Sequence, residues 1–279
     1  MVKKQFLIKY TTIISIILAI VLCIVALNTE YKTIKIQQEW YEDKSYFEGI
    51  YVMNEVVLKN GELNNKDLKI QNGDVVKKDK VLYENIRSPI QGRVFLYIDG
   101  AENKYTLNNI KNITKEDILS LKDSKKNEGI KIVDNTLWYM CIVANKDELK
   151  TLKKNKEMIL EVNGEQYSCI IKDYFIKNEN IFIVLSTQFD LVEFNLQRYF
   201  DGYIIKSRYY GYILPRESVV EYNGEKGVFI KKGEYVYFKP IKISHMDYKV
   251  CVTSDSTLKD NDEVVVNPKN LKDKQRIKR

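Results

Sequence analysis

One histidine, four cysteines and 38 acidic residues are all that this chain of 279 residues offers for acid–base, nucleophilic or metal chemistry. His245 lies in Ile243-Ser-His-Met246, a segment of β character, and has no recognisable nucleophile or second proton carrier beside it in sequence. General-base work needs such a partner within hydrogen-bond reach. Cys23, Cys141, Cys169 and Cys251 lack the Cys-x-x-Cys spacing of a zinc or redox site. Cys23 falls in an apolar N-terminal run, and the other three sit among apolar neighbours, as small buried hydrophobes do. A Cys141–Cys169 disulfide stays open at this level. The acids are scattered among lysines, as on a solvated surface. The formal charge of +7, from 45 basic and 38 acidic residues, is only mildly basic. With no zinc finger, Gly-rich phosphate loop or long basic helix, nucleic acid is not an expected partner. No catalytic, metal or cofactor-binding residue is therefore expected; the chain reads as one that acts by binding.

The elements that would carry such binding are mostly strands. Hydrophobic residues make up 44% of the chain, with 20 Tyr and only four Pro, a composition suited to packed β structure. Before the strands come the 20 uncharged residues Tyr10–Thr29. As a helix they would span about 30 Å, the thickness of a bilayer's hydrocarbon core. No small-residue cleavage site follows, since Ala26-Leu-Asn28 is a poor match, so an uncleaved anchor is expected rather than a signal peptide. Lys3, Lys4 and Lys9 precede the span, and the charges after it cancel. This puts residues 1–9 in the cytoplasm and the rest of the chain outside a cytoplasmic membrane crossed once.

Residues 30–48 read as a connector with a strand at Tyr31–Ile36. Residues 49–122 read as a first β-domain. It opens with Gly49–Leu58, turns at Asn60-Gly61, and ends in a short helix begun by Thr114 with Glu116 and Asp117 at its positive end. The charged stretch 123–128 marks a boundary. Residues 123–210 read as a small closed β-barrel with one short helical turn after Asn145 and a hairpin at Asn163-Gly164. Residues 211–268 form a last β-domain, and 269–279 a solvated basic tail with six basic residues and one acid.

Two motif pairs carry a resemblance. Gly73-Asp74, Val76 and Leu82 are followed by Ser88-Pro89, Gly92 and Val94. Gly-Asp signals a turn, Pro89 a strand end without a ladder donor, and Gln91-Gly92 a tight turn with positive φ. Further on, Pro215 precedes Val219-Val220, Gly227 precedes Val228-Phe229, and Asp262 precedes Val264-Val265 and Asn267-Pro268. In this order, behind an N-terminal anchor, the chain from about residue 10 to 268 resembles the HlyD-like membrane fusion, or periplasmic adaptor, family. The resemblance implies a mainly β fold: an N-terminal transmembrane helix, a lipoyl-like barrel-sandwich hybrid, a small β-barrel and a membrane-proximal β-domain. It further implies a non-enzymatic subunit of an export or efflux transporter, with an inner-membrane transporter (ABC-type or other) and the bilayer as partners, and a homo-oligomer as a possible state.

One departure from the family matters. Adaptors that meet an outer-membrane channel carry a coiled-coil hairpin between the two lipoyl halves. Here only Tyr83–Arg87 separate Leu82 from Ser88, too few for a single heptad. The alternative function is an envelope or cell-division scaffold built from the same modules without transport. A swinging-arm carrier is disfavoured: Asp79-Lys80 resembles a lipoyl acceptor pair but already belongs to the first half-motif, and no separate acceptor hairpin exists.

Overall fold

The computed structural model describes residues 31–102, 104–134, 138–150, 152–153, 156–187 and 197–277. The expected span Tyr10–Thr29, with Cys23, lies outside them, and no described helix is long and apolar enough to cross a membrane. The described chain is mainly β. It begins with β1 (Thr33–Lys35), β2 (Gln38–Val52), β3 (Glu55–Asn60), β4 (Val75–Val76), β5 (Val81–Tyr83), β6 (Ile86–Arg87) and β7 (Gly92–Ile98). Helix α1 (Lys115–Ser120) precedes β8 (Asn127–Val133), β9 (Trp138–Asn145), β10 (Glu157–Val162), β11 (Glu165–Lys177) and β12 (Asn180–Thr187). Then follow β13 (Tyr199–Pro215), β14 (Val220–Tyr222), β15 (Glu225–Lys232), β16 (Tyr235–Pro240), β17 (Ile243–Met246), β18 (Val250–Thr253) and β19 (Glu263–Val265). Two compact units result, residues 43–207 and residues 1–42 with 208–279, and the chain passes between them within β2 and β13.

In the larger unit, strands run in the order β10-β11-β12-β9-β2-β13, and β10 also pairs with β13. That last pairing closes a six-stranded barrel and leaves no sheet edge. Its interior holds Phe47, Tyr51, Met140, Ile142, Leu160, Ile171, Ile181, Ile183, Leu185 and Phe200. The run of apolar residues in β9 and β12 has a second cause. Cys141, Val143, Phe182 and Val184 point out of the barrel and are covered by Ala101, Tyr105, Ile110, Ile113, Ile118 and Leu121. Strands buried on both faces read as continuous apolar sequence, not as alternation. The covering segment contains α1, which Thr114 caps as expected, with Asp117 completing a capping box. Thr114 Oγ1 accepts the Asp117 N–H at 3.1 Å, and Asp117 Oδ2 accepts the Thr114 N–H at 3.0 Å.

The lipoyl-like sheet has the order β3-β8-β7-β4, with β5–β6 as a separate hairpin. Here the sequence expectation is corrected. The stretch 129–144 reads as a strand pair belonging to the barrel. Instead β8 pairs with β3 and β7, whereas β9 pairs with β2 and β12. The helix, grouped by sequence with the first domain, packs on the barrel's outside.

In the other unit, β1, β19, β15, β14 and β16 form one sheet, and β18 pairs with the end of β13 and with β17. Ile36, Tyr212, Leu214, Val228, Ile230, Cys251 and Val264 fill its core. A second apolar layer joins Phe229, Val236 and Val265 to Leu271 and Ile277. Residues 269–277 are thus not the free tail that their charge suggests. The Ile277 N–H donates to the Glu234 carbonyl at 2.7 Å and the Lys274 N–H to the Val236 carbonyl at 2.9 Å, strapping the segment along β16.

Gly92 is required for a reason other than the expected positive φ, which it does not have. It is the first residue of β7, opposite Val76. A Cβ there would run into the Val133 carbonyl oxygen and lie 2.8 Å from Ile132 Cγ2. The obstacle is backbone, which cannot move aside cheaply. Gly92→Val should therefore cost at least about 2 kcal/mol, read as a lowered denaturation midpoint of the chain. Gly73→Ala, at a true positive φ of 92° with open space around it, should cost only about 1 kcal/mol.

Candidate functional site

The two half-motifs meet in one module. The Gly73 N–H donates to the Val94 carbonyl at 2.8 Å, and the Val94 N–H to the Asp74 carbonyl at 2.8 Å. Arg93 Nη1 reaches the Gly73 carbonyl at 2.6 Å, and Asp74 Oδ2 accepts the Gln71 N–H at 2.9 Å. Val76, Leu82 and Val94 lie in one core with Ile70, Ile130 and Ile132. Ser88 is fully buried; its N–H donates to Lys80 and its carbonyl accepts from Asp79, while Pro89 beside it is exposed. Asp79, where the family motif has glycine, indeed takes a left-handed φ of 68°. The turn between β5 and β6 is Glu84-Asn85, two residues long, at the point where a coiled-coil hairpin would enter.

The second motif set lies in the other unit. The Pro215 carbonyl accepts the Ser218 hydroxyl at 2.7 Å. Gly227 lets β15 approach Lys239 and Phe238 on β16. Asp262 Oδ2 accepts the Lys259 N–H at 2.9 Å, and Pro268 is buried where the strap begins. All twelve motif residues thus shape turns and cores; none gathers into a reactive centre.

His245 does have neighbours. Its ring lies 4.8 Å from that of Tyr209 and 5.4 Å from that of Tyr41, and Nε2 is 3.8 Å from Asp247 Oδ2. Burial would raise the Asp247 carboxyl, but N–H groups of Val250 and Lys249 and the Tyr41 hydroxyl outweigh it and hold the carboxyl low. This is a packed aromatic–acid cluster with no nucleophile in it. Cys141, Cys169 and Cys251 are buried thiols, not disulfides. Among the described residues no group of His, Cys, Asp and Glu is arranged to hold a metal ion.

The most concentrated charge in the protein is one that local sequence reasoning misses. Glu55, Asp99, Glu102, Lys131 and Arg198 come together where the lipoyl-like sheet meets the barrel within the larger unit. Arg198 Nη2 lies 2.6 Å from Glu55 Oε1, and its Nε 2.9 Å from Asp99 Oδ2. Lys131 Nζ lies 3.0 Å from Glu55 Oε2 and 3.1 Å from Glu102 Oε1. Both cations have side chains no more than 2% exposed. Lys131 sits mid-strand in Gly129-Ile-Lys-Ile-Val133, and its neighbours Ile130 and Ile132 fill the opposite face. A lysine inside the otherwise apolar run Gly129–Val133 was the available signal. Asp99 and Glu102 also accept the N–H groups of Ala101 and Asp99 at 2.9 and 2.7 Å.

Burial pushes the Glu55 carboxyl up, against the pull of Arg198 and Lys131. Burial acts the same way on Asp99, but the Arg198 guanidinium, Lys131 and the Ala101 N–H outweigh it and hold that carboxyl low. Three carboxylates face two cations: Glu55 lies within 3.0 Å of both, and Asp99 holds the Nε side of Arg198 at 2.9 Å. Asp99→Asn and Glu55→Gln should each cost about 2–4 kcal/mol at neutral pH, because removing a buried partner strands a buried cation. The pH sign follows from the depressed Asp99 value. Its contribution is complete above the ordinary carboxylate range and is lost as pH falls through the lowered value, so Asp99→Asn should flatten the loss of thermal stability below about pH 4.

Residues 138–208, most of the barrel, match the family model described as the RND-related β-barrel domain. No curated protein matches the chain by sequence. Among solved structures, ZneB from Cupriavidus metallidurans shares 12% identity over 87% of this chain and 94% of its own, with a TM-score of 0.34. MacA from Actinobacillus actinomycetemcomitans shares 11% over 84% and 99%, with a TM-score of 0.45. A MacA–MexA chimera carrying the α-hairpin domain of Pseudomonas aeruginosa MexA shares 12% over 84% and 99%, with a TM-score of 0.37. With the two lipoyl half-motifs joined in one module beside a closed RND-related barrel, the chain is similar to the HlyD-like membrane fusion, or periplasmic adaptor, family.

Proposed function

We propose that this protein is the membrane-anchored adaptor subunit of an export transporter and acts by protein–protein binding. The observation that carries the reading is the closed six-stranded barrel of the RND-related type, set against a lipoyl-like module in the family's order. Residues 10–29 would cross the cytoplasmic membrane with residues 1–9 inside, leaving both β units outside it. An inner-membrane transporter is the proposed partner, and self-association of the adaptor is part of the same reading. The two-residue turn at Glu84-Asn85 favours an adaptor that does not reach an outer-membrane channel through a coiled coil.

The test is complementation of a deletion strain, scored on export or an envelope phenotype, with protein level checked by immunoblot. His245→Ala should complement fully, with a stability loss of only about 1 kcal/mol from the lost ring contacts. A well-expressed His245→Ala protein without function would overturn the non-enzymatic reading. A barrel weakened through Asp99→Asn should lose function in step with its folded fraction.

A further inference from the structure

The strap at residues 268–277 has a composition that holding β16 does not require. Its inward residues Leu271 and Ile277 are buried with Phe229, Val236 and Val265. Its outward residues Lys269, Lys272, Lys274 and Arg276 are all exposed. Arg276 is matched by Glu234 at 2.6 Å. Lys269, Lys272 and Lys274 have no ion-pair partner among the described residues. The one acid of the strap, Asp273, is turned back to accept the Phe238 N–H at 2.9 Å.

The second observation is where the chain enters this unit. Tyr31 packs into the same apolar layer as Leu271 and Ile277. Only Glu30 separates it from the uncharged run Tyr10–Thr29. Two residues of extended chain reach about 7 Å. The headgroup layer on one side of a bilayer is of order 5–8 Å thick. A strap beside Tyr31 is therefore held at headgroup height when residues 10–29 span the membrane. Exposed Tyr235, on β16, bridges to Arg276 of the strap, and exposed Lys32 follows Tyr31 in the chain. Amphipathic tyrosines and lysines are the residue types that settle at this depth.

We infer that the strap is a docking surface for anionic phospholipid headgroups of the membrane in which the chain is anchored. The inference rests on the anchored reading above. Lys269, Lys272 and Lys274 supply the attraction, and the burial of Leu271 and Ile277 keeps their side chains from collapsing onto the protein. The contact would fix the unit that carries the strap against the membrane.

The experiment uses the full chain in lipid nanodiscs of phosphatidylcholine alone or with phosphatidylglycerol, followed by amide hydrogen exchange of residues 268–277. Slower exchange in the anionic discs, reversed by raised salt, is expected, because exposed charge contacts are screened within about 10 Å at 0.1 M salt. Replacing Lys269, Lys272 and Lys274 together by Gln should weaken the contact about fivefold per lysine, or about a hundredfold in all. The melting temperature should be unchanged, and the corresponding Arg variant should keep the protection. Equal exchange in both kinds of disc overturns the docking surface while leaving the anchor intact. Extraction of the chain from membranes by alkaline carbonate overturns the anchor, and the surface with it.

Discussion

Burying Arg198 and Lys131 is the constraint on which the larger unit depends. Taking each cation out of water costs several kcal/mol, and only a complete set of partners offsets it. Those partners come from the start of β3, the loop after β7, the middle of β8 and the entry to β13. An apolar seam could be satisfied by several sheet placements. The planar fork of Arg198, engaged by Glu55 on one side and Asp99 on the other, is satisfied by one. The same region places Phe95 and Val133 of the lipoyl-like sheet into the barrel core. Charge sets the register of the contact, and apolar burial supplies its strength.

Around this junction the barrel is stiff for reasons visible in its residues. β9 and β12 are buried on both faces, inside by the barrel core and outside by the segment carrying α1. Closure through β10 and β13 removes the sheet edges that would otherwise invite unplanned pairing. In the second unit the strap plays a comparable part for β16, whose outer side it pairs. A scaffold of this kind presents fixed surfaces, which is the physical requirement of the proposed adaptor.

What was legible in the sequence was local. Asn163-Gly164 and Asn223-Gly224 take left-handed turns, and Thr114 and Asp117 close a capping box, because neighbours in sequence suffice to form these. The Gly73-Asp74 and Ser88-Pro89 half-motifs were readable for the same reason. What was not legible depends on distant strands. Nothing near Lys131 announces that Glu55 and Arg198 will meet it. The pairing of β8 with β3 and β7 is made by strands distant in sequence, so a barrel drawn from residue 123 onward takes in a strand that belongs to the other sheet. Gly92 was singled out for a turn conformation, whereas what needs a glycine there is the Val133 carbonyl, of a strand about 40 residues further on. The strap was misread as solvated because four outward cations hide two inward anchors, Leu271 and Ile277.

The central claim is that these β units are an adaptor for a membrane transporter. Chemical crosslinking in native membranes, followed by purification of this chain and mass spectrometry of what stays bound, tests it most directly. The account predicts a membrane transport protein as the dominant partner, with crosslinks on the described β surfaces. Recovery of cell-division or wall-assembly proteins in its place, with no transporter, would contradict it.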